Sequence, residues 1–328
     1  MDVSIIIVSY KTPELLASCV HSIIENKSKL TYEIIIVDNA NGDGSEDYIL
    51  SRFKDVRWIK TGYNSGFSRA NNIGFKEANG NFILALNPDA TLPISFLDDF
   101  LNFYKLKKTE FKSQLGLLTC RIVSSEDNSL QIGSGKRFVN FNKEINKNPF
   151  LIYFKRTFSL KPSSYDPNVS HYKNHEIDFV SGCCFIIEKL KIEQHNLYFD
   201  EDFFLYFEDL ELSFRTKKIG LRNYFCGDLE IYHVNSASTS MSVNKESQII
   251  VSEYLYYFKR FNLIQYFLLG YLINFNFWLN SNLLKRKKEI EMLVKLNFEK
   301  KLFKKYFFQI PKKYGNPKQK KSDYLKYD

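Results

Sequence analysis

Glycine is sparse in this sequence, 14 in 328 residues, and none of it builds a phosphate cradle. The first apolar run, Val3 to Val8, leads into SYKTPE where a dinucleotide-binding fold would carry G-x-G-x-x-G, and no P-loop occurs, so both common glycine-dependent nucleotide sites are excluded. Cysteine is also scarce. The five, Cys19, Cys120, Cys183, Cys184 and Cys226, are odd in number and lack CxxC spacing, which argues against a disulfide framework or a zinc site and for a reducing, cytoplasmic setting. MDVSIIIVSYK lacks the basic start and cleavage site of a secretory signal and reads as a first strand. The formal charge is +9, yet from Lys285 onward there are 15 Lys or Arg against 5 Asp or Glu, leaving 31 against 32 before it. The body therefore has no basic surplus for a nucleic-acid groove, and no nucleic-acid partner is expected.

What is present is an alternation. Val3 to Val8 is a continuous β-branched run, the pattern of a strand covered on both faces. Pro13 to Asn26 then carries Leu15, Leu16, Cys19, Val20, Ile23 and Ile24 at helical spacing. Glu33 to Val37 repeats the strand and ends in Asp38 and Asn39; a turn-rich loop leads to a helix from Ser45 to Phe53. Val56 to Lys60 gives a third strand, GYNSGFSRANNIGFKEANG becomes a helix ending near Gly80, and Phe82 to Leu86 is a fourth strand. This order predicts an α/β fold with a doubly wound, mostly parallel, Rossmann-like sheet. Ligands of such sheets bind beyond the carboxyl ends of the strands, where Asp38 and Asp89 both fall. Residues 135 to 178 show no clear period and read as a long excursion or lid.

Three features bear on chemistry, each with two readings. Asn87-Pro88-Asp89 is ordinary turn chemistry, or places a carboxylate to hold a metal on phosphates in the absence of a glycine cradle. In FDEDFFLYFEDLELSFRTKKIG, Glu208 to Lys218 reads as a helix with Leu210 and Phe214 on one face, a Glu211–Arg215 pair and a stop at Gly220. Glu208 and Asp209 at its start complement the helix dipole, or are desolvated by Phe203, Phe204, Tyr206 and Phe207 into a useful base. His233, after a short strand, is structural or a ligand.

Taken in order, SIIIVSYKTPELLASCVHSI, EIIIVDN, GYNSGFSRANNIGFK, FILALNPD, VSGCCFIIEK, FDEDFFLYFEDLELSFRTKKIG and IYHVNSAST resemble the family 2 glycosyltransferases of the GT-A fold. The likeness is greatest to the bacterial rhamnosyltransferase-like branch that builds surface polysaccharides. It implies a catalytic domain over 1–240 that transfers a hexosyl unit, with inversion, from a UDP- or dTDP-sugar to a hydroxyl of a polyprenyl-linked or growing glycan, with Mg²⁺ or Mn²⁺. On this resemblance Asp38 matches the acid that reads the base. Ser9 and the Gly66 to Asn71 loop, with Arg69 and Asn71, lie by the donor. Asp89 matches the metal-binding acid of the D-x-D motif, and Asn87 replaces that motif's first acid, which keeps a ribose contact open and lowers the expected metal affinity. Asp209 matches the catalytic base, with Glu208 beside it, and His233 a position that completes the metal's coordination. Two other readings stand beside this one: a nucleotidyltransferase releasing pyrophosphate, and a non-catalytic membrane or nucleic-acid binding module, which Asn87 would suit.

Residues 241–328 read as a helical, basic extension. Within it, 261 to 284 carries no formal charge over a bilayer-spanning length, but Asn262, Gln265, Asn274, Asn276, Asn280 and Asn282 interrupt it. Wound as a helix, Asn262, Gln265, Asn276 and Asn280 fall near one side, as in an amphipathic helix. With KRKKE and KKLFKKYFF following, an anionic membrane surface is the expected partner and the inner face of the cell membrane the expected location; a packed extension with a solvated basic face is the other reading.

Overall fold

Continuous burial on both faces decides where the first strands sit. The computed structural model describes residues 1–40, 42–131, 138, 172–234, 243–287 and 290–311, which fall into two compact units, one within 1–138 and 169–240 and one within 241–328. In the first unit β1 (Val3–Ser9), β2 (Tyr32–Asp38), β3 (Arg57–Lys60) and β4 (Phe82–Leu86) run parallel in the order β3-β2-β1-β4, joined by α1 (Pro13–Glu25), α2 (Ser45–Leu50) and α3 (Phe67–Glu77). Ile5, Ile7, Ile36 and Leu84 pack with Leu16, Cys19, Val20 and Ile23 of α1 on one face. Ile6, Val8, Ile35, Val37 and Ile83 pack with Ala70 and Phe75 of α3 on the other. Each fully buried isoleucine contributes about 1.5–3 kcal/mol, so a run with no polar face is stable only at the centre of three layers.

Beyond β4 come β5 (Ala90–Thr91), α4 (Phe96–Glu110), β6 (Leu115–Ser124), β7 (His175–Ile177), β8 (Cys184–Glu188), α5 (Lys189–His195), α6 (Glu208–Lys218) and β9 (Arg222–His233). The sheet continues from β4 through β8, β6 and β9 to β5, with β7 also on β9. β1 to β4, β6 and β9 point one way; β5, β7 and β8 point the other. The expected doubly wound, mostly parallel α/β sheet is present. Helix α6 also has the expected span and pairing, with Arg215 Nε 2.7 Å from Glu211 Oε1. It stops at Gly220 (φ +86°), whose N–H donates to Lys217 O while Leu221 N–H donates to Thr216 O, a Schellman closure. The excursion expected over 135 to 178 lies outside the described residues except for Phe138 and the segment from Tyr172.

The second unit holds α7 (Val243–Arg260), α8 (Leu263–Lys287), α9 (Ile290–Leu302) and a π-helical turn, Phe303–Phe307. Its core is aromatic. Tyr266 stacks on Phe307 with centroids 4.1 Å apart and donates its hydroxyl to Phe307 O, while Tyr254 meets Phe303 and Phe307 edge-on. Among the described residues no helix is long and apolar enough to cross a membrane. The amide-bearing side of α8 is not its wettest: Gln265, Asn276 and Asn280 are half-buried, while Ile264, Tyr271 and Trp278 are 81%, 69% and 58% exposed. Residues 312–328, the end of the basic stretch, lie outside the described residues.

One glycine joins fold to site. Gly66 precedes α3 at φ +82° and ψ 171°, a backbone region open essentially to glycine alone, and a Cβ there would lie 2.5 Å from Phe204 O. Gly62 also has positive φ, +78°, but nothing lies within 4 Å of its virtual Cβ. Gly62→Ala should therefore cost only left-handed strain, about 1–2 kcal/mol. Gly66→Ala should cost about 1–3 kcal/mol more, because a main-chain oxygen must move; equal urea midpoints for the two variants would refute the close approach.

Candidate active site

β1 and β2 end side by side, with Ser9 in register with Asp38 and both buried. Ser9 Oγ has no hydrogen-bond partner, and Asp38 Oδ1 accepts Ala40 N–H at 2.9 Å. The next residue, Asn39, uses both ends of its amide: Oδ1 accepts from Ser65 N–H and Oγ–H, each at 2.8 Å, and Nδ2 donates to Gly66 O at 3.2 Å. Asn39 thereby fixes the loop that presents α3. Asn39 is not among the site residues read from the sequence, although it stands directly after Asp38 in EIIIVDN. On α3, Arg69 Nε lies 3.5 Å from Glu201 Oε2, and the buried Asn71 donates Nδ2–H to Phe67 O within its own helix.

At the end of β4, Asn87 N–H donates to Cys183 O at 2.9 Å. Asp89, in the turn between β4 and β5, is 6% exposed, and its carbonyl accepts Val234 N–H at 3.0 Å. Asp89 Oδ1 lies 3.1 Å from His233 Nε2, close enough for an ion pair but without the alignment of a hydrogen bond. The other ring nitrogen, Nδ1, is 2.9 Å from Gln131 Oε1, and Gln131 Nε2 donates to His233 O at 3.0 Å. Gln131 carried no signal in the sequence. Among the described residues no group of three or more His, Cys, Asp or Glu could hold a metal; Asp89 and His233 supply one oxygen and one nitrogen.

The acid pair arrives from a separate part of the chain. Gly182 N–H donates to Asp209 Oδ2 at 3.0 Å and Leu210 N–H to Oδ1 at 2.8 Å, so both carboxylate oxygens are oriented. Tyr206 (φ +70°) and Phe207 (φ +69°) are left-handed, which for bulky residues costs about 1–3 kcal/mol each and places backbone strain directly before the acids. Glu208 is 5% exposed and its Oε2 has no partner. Burial first, and then Asp209 beside it, push its carboxyl well above the ordinary carboxylate range. Burial likewise pushes the Cys183 thiol up, with Cys184, Asp89 and Asp209 adding to the effect. The two acids, 120 positions apart, thus reach one dipeptide: Gly182 bonds Asp209 and Cys183 bonds the Asn87 turn that carries Asp89.

Residues 4–195 match the Glycosyl transferase family 2 profile. The chain belongs to this family. It is 25% identical over 236 residues to the low-salt glycan biosynthesis hexosyltransferase Agl10 of Haloferax volcanii, across 71% of this chain and 67% of that one. Rhamnosyltransferase WbbL of Escherichia coli K12 is 24% identical over 239 residues, across 70% and 83%. The N-acetylglucosaminyl-diphospho-decaprenol L-rhamnosyltransferase of Mycobacterium tuberculosis is 21% identical over 219 residues, across 63% and 67%. Two solved structures share the fold at 14% identity: S. aureus TarS, with TM-score 0.50 across 84% of this chain, and GalNAc-T7 with UDP, GalNAc and Mn²⁺, with TM-score 0.55 across 78%. This chain spans 43% and 50% of those two chains. The family match establishes glycosyl transfer as the reaction class, and the two solved structures show the GT-A-like architecture alone. The matched span stops before Glu208, Asp209 and His233.

The state of Glu208 has a pH signature. Its folded proton affinity exceeds its unfolded one, so between the ordinary carboxyl range and its raised value the native state holds the extra proton, and stability falls as pH rises through that window. Glu208→Gln mimics the neutral acid and should remove this part of the slope in unfolding midpoints taken from about pH 5 to 8. A variant whose midpoints fall with pH as steeply as the parent's would show that Glu208 is ionised in the fold.

Proposed function

We propose that the protein is an inverting glycosyltransferase that moves a sugar from a UDP- or dTDP-sugar to a hydroxyl of a lipid-linked or growing surface glycan. The observation that carries this reading is that the turn bearing Asp89 and the Asp209 carboxylate both bond the Gly182–Cys183 dipeptide, from positions 120 apart in the sequence. Asp38, buried at the end of β2, would accept the N3–H of uracil or thymine, and the unpartnered Ser9 hydroxyl beside it has hydrogen-bonding capacity left for the donor. Asn87 would contact the ribose, and Gly66, Arg69 and Asn71 would shape the donor side of α3.

Asp89 and His233 fit a divalent cation: a nearly buried carboxylate oxygen faces a ring nitrogen that has no aligned hydrogen bond. Mg²⁺ or Mn²⁺ held there would supply Lewis-acid stabilisation of the departing diphosphate. Asp209, oriented by two N–H groups, would accept the acceptor hydroxyl's proton as that oxygen attacks the anomeric carbon. The new C–O bond forms while the bond to the diphosphate breaks, and the electron pair leaves with the nucleoside diphosphate. The acceptor class is supported by the names of the relatives, one of which acts on a decaprenol-linked sugar.

A panel of sugar nucleotides with Mg²⁺ or Mn²⁺ tests the reading, with nucleoside diphosphate as the expected product. Asp209→Asn should keep donor affinity while turnover falls by roughly 10² to 10⁴, and Asp89→Ala should lose metal-dependent donor binding. Pyrophosphate release from a nucleoside triphosphate would instead favour a nucleotidyltransferase, and full turnover by Asp209→Asn would remove the assigned base.

The second unit supports a peripheral membrane seat. Ile264, Phe267, Leu268, Tyr271 and Trp278 recur at helical spacing along the outward side of α8, all among the exposed large apolar residues, and a strongly basic stretch begins at Lys285. Each near-surface cation adds about 1 kcal/mol of attraction to anionic headgroups. The triple change Ile264→Ser, Tyr271→Ser, Trp278→Ser removes apolar area without touching the aromatic core, so it should release the protein from phosphatidylglycerol vesicles while circular dichroism stays unchanged. Retention equal to the parent's would sink the membrane reading.

A further inference from the structure

We propose that Gln131 is a positioning residue that locks the tautomer of His233 and so leaves Nε2, the ring nitrogen beside Asp89, with its lone pair free. The inference rests on the reading of Asp89 and His233 as cation ligands, and it adds a residue outside the motifs. The chemistry of the amide dictates the lock. A backbone carbonyl only accepts, so the Gln131 atom 3.0 Å from His233 O must be the amide nitrogen, as assigned. The amide oxygen is then the atom 2.9 Å from Nδ1, and because that oxygen too only accepts, Nδ1 must carry the hydrogen. In the neutral imidazole Nε2 is consequently the bare nitrogen, and it stands 3.1 Å from a carboxylate oxygen of Asp89.

Two acceptors at that distance repel unless something positive stands by them, the proton of an imidazolium or a metal cation. The field of the Asp89 carboxylate alone favours a neutral ring with its hydrogen on Nε2; Gln131 holds the opposite tautomer, the one a metal ligand at Nε2 needs. Gln131 is itself rigidly placed. Its N–H donates to Ile122 O at 2.8 Å, closing a turn off β6 in which Ser124 N–H donates to Ser129 O at 2.8 Å. The same turn holds the histidine's main chain, since Ser125 N–H donates to His233 O at 3.1 Å while β9 pairs His233 with Ser124 on one side and Ala90 on the other. Ring, lock and Asp89 therefore belong to one hydrogen-bonded frame.

Two variants separate the lock from simple packing. Gln131→Met keeps length and removes both hydrogen bonds. Gln131→Glu keeps an acceptor for Nδ1–H, replaces the donation to His233 O, which Ser125 still serves, by a carboxylate oxygen, and adds a negative charge. Long-range ¹H–¹⁵N spectra of the full chain labelled at its five histidines, without metal and at a pH where the imidazoles are neutral, report the tautomer directly; the His233 signal is assigned by its loss in His233→Gln. Wild type and Gln131→Glu should show the Nδ1–H form and Gln131→Met the Nε2–H form; the same tautomer in wild type and Gln131→Met would overturn the lock. Mn²⁺ affinity with UDP, read by electron paramagnetic resonance, should fall by roughly 10–100-fold in Gln131→Met and should not fall in Gln131→Glu. Equal affinities in all three would sever the lock from the metal. If wild type binds no Mn²⁺, the cation reading of Asp89 and His233 falls, while the tautomer comparison still decides the role of Gln131.

Discussion

The antiparallel pairing of β8 with β4 is the constraint on which the site depends. Parallel strands deliver side chains from one side of a sheet only at their carboxyl ends, which serves Ser9, Asp38 and Asp89 but offers no second carboxylate facing them. β8 runs the other way, with Cys184 opposite Leu86, so its start lies where β4 finishes and the Gly182–Cys183 peptide is set between the two acids. Gly182 suits this place: a Cβ there would already sit at contact distance, 3.4 Å, from Asp209 Cβ and the Phe67 ring. The opposition of strand directions, not proximity in sequence, brings Asp89 and Asp209 together.

Polar atoms left without partners in a buried setting are costly, about 1–3 kcal/mol each. In the first unit such atoms include Ser9 Oγ, Glu208 Oε2 and His233 Nε2, alongside others such as Trp58 Nε1 and Ser45 Oγ. The first three stand at strand ends or a helix start around the proposed donor and acceptor positions. Together with the left-handed Tyr206 and Phe207, they mark a place where the fold forgoes stability for an arrangement that a bound ligand can complete. Burial and the neighbouring Asp209 raise the proton affinity of Glu208, which lowers the charge the pair must carry in a dry setting.

Much of this was legible because periodicity is a local property. Val3 to Val8 and Glu33 to Val37 differ from the observed β1 and β2 by a residue at one or both ends, and α6 has the span read from its acids and Gly220. The helix read as Ser45 to Phe53 ends at Leu50, since Arg52 and Phe53 only close a turn on Ile49. The stretch from Phe96 to Ser124, which gives α4 and β6, drew no reading at all. Its strand carries Thr119 and Arg121 among apolar residues and shifts register between Cys120 and Arg121, so it follows neither strict alternation nor an unbroken apolar run. On α8 the side-chain positions were counted correctly, but which side faces water is set by the packing of Tyr266 on Phe307, and that contact joins residues 41 apart. Gln131 is a lone amide in a turn, and only the fold sets it beside His233.

The replacement at Asn87 gives these pieces a common logic under the proposed chemistry. A D-x-D pair concentrates negative charge near the diphosphate, and charge is the main source of affinity for a hard divalent cation. With Asn87 neutral, that affinity must come from Asp89 and from whatever neutral donors the frame can present well. His233 is such a donor only in one tautomer, and the neighbouring Asp89 carboxylate favours the wrong one. A weakened anionic set therefore raises the value of a residue that spends both ends of an amide on a single histidine, and Gln131 does that through Nδ1 and the carbonyl of His233. Geometry fixed by hydrogen bonds can in this way substitute for a missing charge, because an orientation held in the fold costs nothing further when the ligand arrives.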